Sequence, residues 1–95
     1  MAEAVSDGNN VVDFMRSEGY IRFRADCEAS SRDLYAVYRL WCEDNALNPL
    51  SARSFSLYVC ENLELYGLEQ SNNIYLPGGR RVRGFVGVEL LQRAA

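Results

Sequence analysis

The 95 residues predict an α+β domain, with helices in the first two thirds and an antiparallel hairpin at the C-terminal end. Three observations carry this. Leu34, Val37, Tyr38 and Trp41 recur at i, i+3, i+4 and i+7, the spacing of one apolar helix face. Phe55, Val59 and Leu63 recur every four residues behind Ser51, a residue suited to capping a helix. After Pro77-Gly78-Gly79 the period changes to two along residues 80–90, which is the spacing of a strand. The length accommodates one domain, with about 60–65% of the unfolded surface buried on folding.

In chain order, residues 1–8 read as a polar leader and residues 9–95 as the domain. Asn9 or Asn10 is expected to cap a first helix carrying Val11, Val12, Phe14 and Met15, which Gly19 ends. Residues 20–24 alternate weakly and fit a short first strand or an extended link. Ser30 and Asp33 stand at capping-box spacing before the second helix. That helix should end near Asn45-Ala46, because Pro49 keeps Asn48 out of helical conformation and residues 45–50 form a tight connection. The third helix is expected over 52–65, closed by Tyr66-Gly67.

Two strands, 68–76 and 80–90, should then pair as a β-hairpin with its tip at Pro77-Gly78-Gly79; Asn72-Asn73 is the rival tip. Alternation places Val82, Gly84, Val86, Val88 and Leu90 on the inner face and Arg81, Arg83, Phe85 and Glu89 on the outer one. Isolated hairpins are marginal in water, so this one needs an apolar partner. A helix, a short strand, two helices joined by a tight turn, and a hairpin together describe a winged helix-turn-helix: three helices with a C-terminal β-hairpin wing.

Composition removes most catalytic chemistry. Histidine is absent, so there is no Ser–His or Cys–His dyad and no imidazole metal ligand. Cys27, Cys42 and Cys60 stand 15 and 18 residues apart, without the close pairs of a zinc site, and read as buried thiols of a reducing compartment. Glu43-Asp44 and the Glu61/Glu64 pair read as helix surface, and Gly78-Gly79 is too short to cradle a phosphate. The expectation is a non-catalytic chain with no cofactor and no metal. The polar N-terminus is unlike a signal peptide and no apolar run approaches 18 residues, so the expected setting is cytoplasmic, without membrane contact.

The net charge of −3 argues against a generic polyanion binder, yet it averages two unlike parts. Residues 1–70 hold six Arg against twelve Asp and Glu, a balance of −6; residues 71–95 hold Arg80, Arg81, Arg83 and Arg93 against Glu89, a balance of +3. All ten basic residues are Arg, whose planar fork matches phosphate oxygens. Arg80, Arg81 and Arg83 beside the glycine tip are therefore candidate DNA contacts, although charge on an exposed strand also prevents sheet-to-sheet pairing. The third helix would be the reading helix, with Arg53, Ser54, Ser56 and Tyr58 outward near its start. Glu61 and Glu64 would repel phosphates further along. Tyr38 and Trp41 lie on the apolar stripe and read as core; Tyr35, Tyr58, Tyr75 and Phe85 are less constrained.

The run Asp33-Leu34-Tyr35, Tyr38, Trp41-Cys42, Asn45, Pro49-Leu50-Ser51, Arg53 and Phe55, followed by the glycine/arginine-rich ending Gly78 to Leu90, resembles the C-terminal domain of phage and plasmid primase–helicases. These are replication proteins with a superfamily-III-type helicase core. The resemblance covers roughly residues 11–90. It implies a winged-helix module that engages template or origin DNA while other domains synthesise primers and hydrolyse ATP. Carried over by position, Ser51 caps the reading helix, Arg53 faces outward, and Arg80, Arg81 and Arg83 form the wing. Where the family has Gly-Arg after the Phe, this chain has Ser56-Leu57. The primase and helicase motifs themselves are absent. The main expectation is a DNA-binding replication module of modest, salt-dependent affinity. The alternative is a protein-interaction winged helix whose acidic N-terminal part docks a replication partner or other domains of a primase–helicase.

Overall fold

The computed structural model describes residues 8–92; most of the expected leader, residues 1–7, lies outside them. The order is α1 (Gly8–Met15), β1 (Ile21–Ser30), α2 (Ser31–Asp44), α3 (Ala52–Glu61), α4 (Leu63–Tyr66), β2 (Glu69–Tyr75) and β3 (Arg81–Leu90). The three strands form one antiparallel sheet in the order β1-β3-β2, so the last strand is central. The α+β expectation therefore holds, with four helices and a three-stranded sheet among the described residues. The body measures 46 × 28 × 22 Å.

The core forms where the sequence stripes meet. Val11, Phe14 and Met15 of α1, Leu34, Val37, Tyr38, Trp41 and Cys42 of α2, and Phe55 and Val59 of α3 are all buried in one cluster. At its centre Phe14 meets Tyr38 edge-on at 5.5 Å, and Tyr38 stacks on Phe55 at 4.6 Å, geometries that aromatic rings favour. Ser30 caps α2 as its spacing predicts: its hydroxyl accepts from the Asp33 N–H at 3.0 Å. Ser51 caps α3 in the same way, accepting from Ser54 N at 3.2 Å.

Several expectations are corrected. Asn10 caps nothing; α1 starts at Gly8 and the Asn10 amide donates to the Asn48 carbonyl at 2.8 Å. The side chain of Asn9 lies outside the described residues. The expected helix over 52–65 is two helices broken at Asn62, whose side chain donates back to the Tyr58 carbonyl at 2.8 Å. Asn side chains compete for backbone groups in this way, which makes them poor helix interiors. The hairpin does turn where expected, at Pro77-Gly78-Gly79 between Leu76 and Arg80, while the rival Asn72-Asn73 lies in a bulge where the register slips between Ser71 and Ile74.

The first strand is ten residues long rather than a short piece near 20–24. It pairs with β3 at Ile21, Arg22 and Phe23, then slips, then pairs again from Glu28 to Ser30. Residues 24–27 fall in the slip, the first three exposed and Cys27 half-buried, so no alternation of apolar side chains marks them in the sequence.

The expected faces of β3 also change. Phe85, placed outside by strict alternation, is 1% exposed and belongs to the core, as does Val88. Two residues three apart can point to one side only if the pleat is interrupted between them. The interruption is Gly87, with φ of +110° opposite the β1 slip. Gly84 meets a different constraint. A Cβ there would collide with the Ala29 carbonyl oxygen and lie 2.7 Å from Ile74 Cγ1 and 2.8 Å from Ser30 Cα. Two of these three neighbours are backbone and cannot swing away.

α2 ends in a Schellman motif: Leu47 N–H donates to the Cys42 carbonyl at 2.8 Å and Ala46 N–H to that of Glu43 at 3.3 Å. The residue between them, Ala46, has φ of +56°, a left-handed conformation costing a non-glycine residue about 1–2 kcal/mol.

Two substitutions follow with opposite signs. Ala46→Gly should raise unfolding stability by about 0.5–1 kcal/mol in urea titration, since it relieves the left-handed alanine against a more flexible unfolded chain. Gly84→Ala should lower it by about 3 kcal/mol, the upper end of overpacking costs, because backbone must move.

Candidate nucleic-acid interface

The position of α3 is set by the turn before it. The Leu50 N–H donates to the Tyr38 hydroxyl at 2.8 Å, and the Tyr35 hydroxyl donates to the Leu50 carbonyl at 2.7 Å. With the Asn10 bond to Asn48, two of the three residues before the Ser51 cap are tied by their backbone to α1 and α2. Tyr35, less constrained than Tyr38 and Trp41 in sequence terms, is thus a structural anchor.

Arg53 and Ser54 lie exposed in the first turn of α3, as their positions predict. The Ser54 hydroxyl already receives a bond from Ser51 Oγ at 3.1 Å. Tyr58 is displaced from the expected outward set. It is half-buried against the core and its hydroxyl lies 3.2 Å from that of Tyr66. Ser56 is half-buried as well. The outward row is Arg53, Leu57 and Glu61, one turn apart, with Leu57 53% exposed. Beyond it Leu65 on α4 is 71% exposed. Basic character is therefore confined to the first turn, and the rest of this surface is apolar and acidic.

Arg80, Arg81 and Arg83 are exposed at the hairpin end. The tip is closed by Leu76 N–H to Arg80 O at 2.8 Å and Gly79 N–H to Leu76 O at 3.0 Å, with both Gly78 and Gly79 at positive φ. Arg81 donates across the ribbon to Asn73 Oδ1 at 3.3 Å. Strand alternation sets Arg81 and Arg83 on the face from which Phe85 enters the core.

Charge pairing separates the two arginine groups of the sheet. Arg22 on β1 meets Glu89 on β3 at 2.7 Å, and Arg24 meets Asp26 at 3.3 Å and Glu89 at 4.0 Å. Those guanidinium groups are locally neutralised. Among the described residues, no ion pair involves Arg53, Arg80, Arg81 or Arg83. No group of His, Cys, Asp and Glu among the described residues is arranged to hold a metal, and no described helix is long and apolar enough to cross a membrane.

Burial pushes the Tyr38 phenol up to about 12, where an ordinary tyrosine titrates near 10. Between those values the unfolded chain has released this proton and the folded one has kept it. Stability from this group is thus complete below pH 10 and declines as pH rises toward 12. Absorbance of tyrosinate against pH should show late-ionising phenols, Tyr66 being raised by burial as well, with one fewer of them in Tyr38→Phe. That variant should also cost about 1 kcal/mol at neutral pH, because the Leu50 N–H loses its acceptor. Comparison of the chain with protein-family models, with curated proteins and with solved structures finds no match.

Proposed function

We propose that this chain is a non-catalytic DNA-binding winged-helix module of the replication type, as its resemblance to primase–helicase C-terminal domains implies. The element order and the sheet order β1-β3-β2 support the winged-helix reading. One observation carries the DNA reading: Arg80, Arg81 and Arg83 cluster at an exposed hairpin end, outside every ion pair among the described residues, while Arg22 and Arg24 are paired. Counterion release from phosphates then supplies the binding energy, and Arg53 with Ser54 adds contact from the first turn of α3. Tyr58 acts from behind, holding α3 to α4 through Tyr66.

A second reading has its own observation. Leu57, Glu61 and Leu65 form an apolar and acidic outward surface where a phosphate-contacting helix would carry basic groups. Under this reading α3 and α4 face a protein, such as another domain of a replication complex.

DNA titration at two or more salt concentrations tests the first reading. The variant R80A/R81A/R83A should bind more weakly, and the slope of log K against log salt should flatten by about 0.9 for each phosphate no longer neutralised. Unchanged affinity and slope in that variant would rule the wing out. Amide shifts confined to residues 57–66 on adding a partner domain, with no response to DNA at low salt, would favour the second reading.

A further inference from the structure

A half-open trough of about 610 Å³ lies away from the outward face of α3, bounded by the end of β1, the first half of α2 and the end of β2 that leads into the hairpin tip. That volume falls among those of ligand sites, which run from about 300 to 1,000 Å³. Its apolar lining includes Ala29, Ala36, Val37, Ile74, Leu76 and Pro77. Ile74 is 2% exposed, and Ala29 and Val37 beside it belong to the main core cluster, so the trough has a packed apolar floor. Tyr75, 62% exposed, stands at the rim.

The polar lining has one sign. Glu28, Asp33 and Glu89 contribute carboxylates to the trough, and among the described residues no Arg lines it. Glu89 is engaged by Arg22, whereas Glu28 and Asp33 enter no ion pair among the described residues. Cys27 also faces the trough, with burial and the neighbouring Asp26 and Glu89 charges raising its thiol, so it stays protonated and serves as a small apolar wall.

We propose that this trough is a docking site for a short cationic, apolar polypeptide segment of a partner protein, one alternating Arg or Lys with aliphatic side chains. The apolar floor takes the aliphatic side chains, Tyr75 covers them from the rim, and Glu28 and Asp33 pair with the basic groups. Such exposed aromatic rims and apolar floors recur at interface centres. The charge sign excludes nucleic acid and acidic peptides from the same place. The site stands independently of the wing, so a failure of DNA binding leaves it intact.

A synthetic peptide alternating leucine with arginine is the probe, added to the full chain while fluorescence anisotropy and amide shifts are followed. Binding should shift residues 28–37 and 74–77 and weaken with salt. In E28Q/D33N, which keeps side-chain shape, affinity should fall about tenfold, the size expected for two partly exposed pairs. The same peptide with glutamate in place of arginine should not bind. R80A/R81A/R83A should retain peptide binding, which separates this test from that of the wing. Equal affinity in wild type and E28Q/D33N, or shifts outside the trough, overturns the proposal. So does concentration-dependent dimerisation that shifts the same residues without peptide, since the occupant is then a second copy.

Discussion

Leu50 is the point on which the helical half of this domain turns. A backbone N–H and carbonyl near a helix start are groups that folding must satisfy or lose free energy over. Here the two tyrosines of α2, one turn apart, satisfy both, one accepting and one donating. Tyr38 does this while Phe14 of α1 meets its ring edge-on and Phe55 of α3 stacks on it, so a single side chain joins the apolar core to the polar turn. The direction in which α3 leaves is thereby set before Ser51 caps it. Anything presented by the first turn of α3, Arg53 above all, inherits its position from that pair of bonds.

The sheet obeys a constraint of a different kind. β3 is central and must serve two neighbours and the core together. Gly84 gives up a side chain so that the end of β1 and Ile74 can close over it, and Gly87 shifts the pleat so that Phe85 and Val88 both reach the core. Beyond Gly84 the strand runs out toward the hairpin tip, and there the arginines take over from the apolar residues. The change from packed to charged surface along one strand is what sets a cationic tip on an otherwise acidic body.

Much of this is legible in the sequence. Ser30 and Ser51 are caps, the Leu34, Val37, Tyr38 and Trp41 stripe is buried, Gly67 ends the helical region in a left-handed conformation, and Pro77-Gly78-Gly79 marks the tip. All of these are local signals, written in residue type and spacing. The departures are non-local. Residues 24–27 and Asn72-Asn73 are irregular because of what lies opposite them, and alternation misplaces Phe85 because nothing local says that Gly87 interrupts the pleat. Tyr58 and Leu57 show the same limit at the site: both are apolar enough to be core, and the tyrosine is drawn inward by Tyr66 while the leucine is left outside. The exposure of Arg80, Arg81 and Arg83 is legible because a charged residue beside a glycine turn stays in solvent by default.

Both outer strands of the sheet carry a register slip, β1 between Phe23 and Glu28 and β2 between Ser71 and Ile74. A free strand edge is a template on which another copy of the same chain can add, and long straight edges start ribbons and fibrils. Each slip bends its edge and misaligns the donors and acceptors along it, so an incoming strand can match only a few residues before the ladder fails. The irregularities that hide these strands in the sequence thus also act as guards, keeping a small three-stranded sheet from growing sideways at the concentrations a cell maintains.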